Sequence, residues 1–184
     1  QLIGSMRDRA ATLKELQQWR EQLLRRVLHT TVVIGFLAVV VGSYYRFTQQ
    51  NYAAVIMFWL AYGLLLFINF QQRLGYALRV RVMLFLLYGL AVGDFLSDGR
   101  AGGARLFLVA FIFAAALFLE KQSGFYALAI SLGTGIIFAF GFVTGFFPSP
   151  TPISAVDSVG WISSILVLAI LGTFVVASIN SVSY

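Results

Sequence analysis

The sequence predicts an all-α, polytopic membrane protein, a bundle of six transmembrane helices with an N-terminal cytoplasmic amphipathic helix. Three observations carry this. The 184 residues are 60% apolar and only 11% charged, the mean hydropathy is +0.88, and the apolar residues gather into runs close to the roughly twenty that a helix needs to cross a hydrocarbon core.

Residues 1–5, ahead of Met6, have the look of a vector-derived leader with Gly4 and Ser5 as a cloning remnant, and are set aside from functional reasoning. Residues 6–27 read as a cytoplasmic juxtamembrane helix. Good helix formers fill 7–26, Glu21 and Arg25 stand at i,i+4, and Leu16, Trp19, Leu23 and Val27 form one apolar stripe, so this segment is expected along the inner leaflet. Its basic residues read first as a topology anchor and second as an element that feels helix displacement or anionic lipid. It is no signal peptide, because a long polar stretch precedes the apolar run and no small-residue cleavage site follows.

The spans are expected at 28–46, 51–70, 80–97, 103–120, 125–146 and 160–180, making 28–180 the transmembrane domain and 181–184 the start of a cytoplasmic connector. The third and fourth are the shortest, bracketed by Arg81 and Asp94 and by Arg105 and Glu120. Basic residues alternate between the two sides. Arg7, Arg9, Lys14, Arg20, Arg25, Arg26, Arg73, Arg79, Arg81 and Lys121 fall on one, and only Arg46, Arg100 and Arg105 on the other. The positive-inside rule therefore puts both termini in the cytoplasm.

The charge of +6 is thereby a topology signal, and nucleic acid is not an expected partner. With no Cys and one His, disulfides, thiolate nucleophiles and most metal sites fall away. His29 sits at the cytoplasmic start of the first span, where an interfacial role is expected. No lysine lies inside a span to hold retinal, and no cofactor or catalytic constellation is visible, so no enzyme is expected in this segment. Within the spans the polar groups are of the kind of Thr134, Ser164 and Thr173, which disfavours an ion-coupled transporter.

Asp94 is the ionisable group that intrudes into an apolar run, followed by Asp98, Arg100 and Arg105 across a short outer hairpin. Intramembrane charges point to function with a named partner. Asp94 is expected to face Arg105, either as a structural pair closing the hairpin or as a site for a polar ligand group. Ala129, Gly133, Gly141 and Gly145 lie at multiples of four in the fifth span, a small-residue face for packing inside the bundle or for a homodimer. Tyr44, Tyr45, Tyr52 and Trp161 fit an outer interfacial belt, and Trp19 and Tyr126 an inner one. Trp59, Tyr62 and Tyr88 lie deeper, as ordinary packing or as the lining of an apolar pocket between the second and third spans.

The run Gly103-Ala-Arg-Leu-Phe-Leu-Val-Ala-Phe-Ile-Phe-Ala-Ala-Ala-Leu-Phe-Leu, then Ser123-Gly-Phe-Tyr-Ala-Leu-Ala-Ile-Ser-Leu, and the entry Trp19-Arg-Glu-Gln-Leu-Leu-Arg-Arg resemble the multi-span N-terminal sensor regions of bacterial membrane histidine kinases, particularly those of Chloroflexota-like bacteria. The resemblance covers most of residues 6–184. It departs from the pattern in offering both Asp98-Gly-Arg and Gly103-Ala-Arg before Leu-Phe-Leu. It implies a sensor domain in a bacterial inner membrane, partnered by the bilayer and by a cytoplasmic output domain on the same chain in a two-component system. The rival expectations are a small transporter or channel and an accessory membrane subunit of a larger complex.

The orientation is testable directly because the chain has no Cys. Single cysteines at Gln50, Gly102 and Ser154 are expected to react with an impermeant thiol reagent on intact cells, and one at Gln72 is not. Labelling at Gln72 with Gly102 protected would overturn the six-span topology.

Overall fold

The computed structural model describes residues 2–48, 50–71, 74–99, 103–119, 122–147 and 155–182, with side chains between 21 and 179 except Tyr45 and 155–157. Among these residues the chain forms six helices and no strand: α1 (Leu2–Thr48), α2 (Tyr52–Phe70), α3 (Tyr76–Asp98), α4 (Ala104–Phe118), α5 (Ser123–Val143) and α6 (Ala155–Val182). The side chains of Leu16, Trp19 and Tyr45, and the whole of Arg100, lie outside the described residues.

Five helices are long and apolar enough to cross a membrane, whereas α4 has 15 residues. At about 1.5 Å per residue α4 spans about 22 Å, short of a core about 30 Å thick. α3 runs for 23 residues from Tyr76, longer than expected, because Arg79 and Arg81 are carried inside the helix. α1 is one unbroken helix of 47 residues, about 70 Å at the ideal rise. No Gly or Pro lies between residues 6 and 34 to break it, so the helix runs on through the boundary expected at residue 27.

α4 occupies the centre of the bundle, with α3, α5 and α6 packed around it, while α1 packs chiefly on α2 and α2 in turn on α3. The molecule thus divides into an α1–α2 hairpin and an α3–α6 core. Small residues fill the middle. Ala104, Ala114, Ala115 and Ala116 of α4 are buried, and α6 turns the stripe Trp161, Ser164, Leu168, Gly172 and Val176 inward at helical spacing. Large apolar side chains point outward instead: Leu37, Val41, Leu60, Phe85, Leu106, Phe140 and Phe174 are all exposed. A surface this apolar has lipid as its natural solvent.

The small-residue face expected on α5 is assembled differently. Gly145 lies beyond the helix at φ 74° and ends it, its N–H bonding Phe142 O at 3.2 Å. Gly141 makes room for the ring of Phe147, which folds back over it, and Gly133 faces open space. Close approach occurs elsewhere. A Cβ on Gly124 would stand 2.8 Å from Ala116 Cβ and 3.3 Å from Ala116 Cα, and one on Gly172 2.5 Å from Leu128 Cδ1.

Gly124→Ala is therefore expected to lower stability by about 1–3 kcal/mol through overpacking against backbone. Gly133→Ala, with space around it, should match the wild type or exceed it slightly. Unfolding midpoints in detergent that moved equally for the two would refute this packing.

Candidate functional site

α1 ends in a turn built on Arg46. The Arg46 carbonyl accepts the Asn51 N–H at 3.0 Å, Gln50 adopts φ 58°, and Asn51 caps α2 by accepting the Ala54 N–H at 3.2 Å. The turn sets the Arg46 side chain against the end of α3, where Asp94 and Asp98, one helical turn apart, share a face. Arg46 Nη1 and Nη2 each donate to one oxygen of Asp98, and Nη2 donates as well to Asp94 Oδ1 at 3.2 Å. One guanidinium fork thereby serves two carboxylates. The Phe58 ring of α2 lies against the same group, its centroid 5.9 Å from Arg46 Cζ. Arg46 and Asp94 are each 5% exposed, whereas the Asp98 side chain keeps 26% of its surface.

Asp94 Oδ2 has no hydrogen-bond partner among the described residues and faces the start of α4, towards the Gly103 and Ala104 amides. That helix begins without a side-chain cap, so its unpaired N–H groups and the positive end of its dipole favour a carboxylate there. Asp94 is thus held between α1 and α4.

The expected pairing of Asp94 with Arg105 is corrected by this arrangement, since both aspartates pair with Arg46. Arg105 is one residue past the Ala104 that faces Asp94, and a helix turns about 100° per residue. Its Nη1 accordingly donates to Ser164 Oγ on α6 at 3.1 Å, and Ser164 Oγ donates to Gly160 O at 2.7 Å. Arg46, which the sequence reading counts only among outer-side cations, is the residue it misses. The signal for it is the i,i+4 spacing of Asp94 and Asp98, two like charges on one face that need a cation between them.

The end of the bundle that holds Asp94 is closed by rings. Trp161, expected in the interfacial belt, is only 6% exposed and stacks on Phe142 at 5.7 Å. Phe95 lies 5.8 Å from Trp161 and 4.9 Å from Phe138, and Phe147 covers Phe138 at 5.3 Å. The cluster joins α3, α5 and α6 immediately beside Asp94. Tyr44, Tyr52 and Tyr126 are exposed.

A cavity of about 270 Å³ separates α1 and α2 from α3 and the start of α4, lined by Gly35, Gly42, Phe58, Tyr62, Leu87 and Phe107 among others. Of the three expected aromatics only Tyr62 reaches it. Trp59 is exposed and meets Tyr62 edge-on at 6.3 Å. Tyr88 turns to α5, where its hydroxyl lies 2.9 Å from Thr134 Oγ1, because each hydroxyl finds in the other a partner that lipid cannot supply.

Buried charge, a small-residue core and an apolar exterior describe a membrane-embedded fold, and residues 18–182 match the profile of MASE11, a family of membrane-associated sensor domains. The chain belongs to the MASE11 family. Comparison with curated proteins and with solved structures gives no match. In this MASE11 domain no three His, Asp or Glu side chains stand together to hold a metal among the described residues. The cluster at the end of α3 has Arg46 bridging two acids of unequal exposure.

Arg46→Gln is expected to destabilise the domain by about 3–5 kcal/mol by leaving buried carboxylate unpaired. Adding Asp94→Asn and Asp98→Asn should recover part of that loss. Asp94→Asn with Arg105→Gln should be additive. Denaturation midpoints in detergent decide between the partners: coupling of Asp94 to Arg105 and none to Arg46 would overturn the assignment.

Proposed function

We propose that this MASE11 domain is the signal-input module of a bacterial receptor, set in the cytoplasmic membrane with both termini inside, and that α6 passes a stimulus to a cytoplasmic output domain of the histidine kinase type. The family match over residues 18–182 carries the reading, and the placement of the charges gives it a mechanism. Arg46 fastens the α1–α2 hairpin to the core at Asp94 and Asp98. Asp94 also faces the N-terminus of α4, and Arg105 of α4 holds Ser164 of α6. A stimulus that competes for the carboxylates or for the guanidinium favours a packing in which hairpin and core part at the outer end. Only such a difference in interaction between two packings can shift a population, and a small movement of α6 is the output.

The test joins α6 in unbroken helical register to a histidine kinase transmitter, with the junction stepped by single residues over one turn. In the responsive registers Arg46→Gln and Asp98→Asn are expected to change basal autophosphorylation by about five-fold or more. Leu60→Ala, on an exposed face, should leave it unchanged. Identical output from all variants at every junction, with equal expression, would sink the reading.

A further inference from the structure

At the opposite end of the bundle from Arg46, where the basic residues concentrate, a cavity of about 670 Å³ opens between α1 and the α2–α3 turn. Its lining includes Glu21 and Arg25 of α1, Asn69 of α2, and Gly75, Tyr76 and Arg79 at the start of α3. Arg79 is tied to the turn, its Nη2 donating to Gln71 O at 3.0 Å, while its Nε is buried with no hydrogen-bond partner among the described residues. Arg25 is exposed and pairs with no carboxylate among the described residues. α3 begins at Gly75 with no side-chain cap and no acidic residue in its first turn, so its free N–H groups add to the same positive field. Among the described lining residues two guanidinium groups stand against one carboxylate.

We propose that this cavity binds a phosphate ester, the headgroup of an anionic phospholipid of the adjoining leaflet. Guanidinium groups and helix N-terminal amides are the donors that phosphate oxygens match. The volume exceeds that of a phosphate alone and leaves room for glycerol, whose hydroxyls can donate to Glu21. The lipid source follows from the setting. Leu24, which also lines the cavity, is buried, and exposed Phe70 and Leu78 flank the turn, so the polar cavity opens beside a surface already suited to acyl chains. Tyr76, on the cavity wall, donates its hydroxyl to Phe118 O at 2.9 Å, which ties the occupied site to the end of α4. The proposal goes beyond the signalling reading and is tested without any output.

The experiment uses the 184-residue chain in detergent, titrated with phosphatidylglycerol, phosphatidylethanolamine or sodium phosphate and read by native mass spectrometry and unfolding midpoint. One phosphatidylglycerol per chain is expected to be retained and to raise the midpoint. Arg25→Gln should weaken its binding by about ten-fold, the scale of one charge-assisted contact. Arg26→Gln, an exposed neighbour off the cavity, should weaken it less than about two-fold, as a surface charge does. Arg79→Gln should act like Arg25→Gln in any preparation that keeps the wild-type midpoint without lipid. Saturation by sodium phosphate with the same Arg25 dependence would uphold the phosphate site and assign it a soluble ligand. Equal effects of the Arg25 and Arg26 substitutions, or phosphatidylethanolamine binding as tightly as phosphatidylglycerol, would overturn the proposal.

Discussion

A guanidinium shared by two carboxylates fixes three helix ends at once, and the rest of the outer bundle is arranged around it. Asp94 and Asp98 repel one another along one face of α3, and the repulsion grows as surrounding water is replaced by protein and lipid. A lone charge in the hydrocarbon centre costs about 2.5–3.5 kcal/mol on insertion scales, so a buried pair of acids without a counterion would strain any bundle. Arg46 supplies the counterion from α1, and α4 supplies a partial positive charge from its N-terminus. The short hairpin between α3 and α4 is what presents that terminus to Asp94.

The shortness of α4 then explains the core. A helix of 15 residues surrounded by α3, α5 and α6 need not meet lipid along its whole length, and its run Ala114-Ala115-Ala116 is buried. Gly124 and Gly172 let α5 and α6 approach at distances where a Cβ would collide. In a bilayer, where lipid tails compete with apolar side chains on equal terms, such close packing is the main attraction between helices. Large buried rings gather around Phe95, Phe138 and Trp161, at the end of the bundle beside Asp94.

The apolar runs and the all-α class were legible because span length is set by bilayer thickness and needs no knowledge of neighbours. Asp94 was legible as a residue with something to explain. Its partner was not, because local reasoning paired it across the nearest hairpin, whereas packing brought in Arg46 from 48 positions away. The glycine pattern failed for a related reason. Spacing by fours is necessary for a packing face, but Gly145 serves the helix end and Gly133 meets nothing, and sequence does not say which face of α5 is inward. Trp161 was placed at the interface by its type, yet the stripe it shares with Ser164, Leu168 and Gly172 put it in the core.

The unequal exposure of the two acids gives the cluster a direction. Asp94 is sealed, with Phe95 and the ring cluster behind it, whereas Asp98 keeps contact with the outside. Losing Asp98 would strip Arg46 of both bonds of the fork, while the 3.2 Å contact with Asp94 and the Phe58 ring would stay. α1 is otherwise packed chiefly on α2, and α2 on α3, with Leu24, Leu28 and Ile68 buried in the same apolar core as the residues of α3 and α4, while the cavity lined by Gly35, Tyr62 and Leu87 lies between these helices. α4 is held differently, by α3, α5 and α6 on three sides. The cluster is therefore where charge joins the α1–α2 hairpin to the core, and the Asp94 carboxylate stands between Arg46 of α1 and the start of α4.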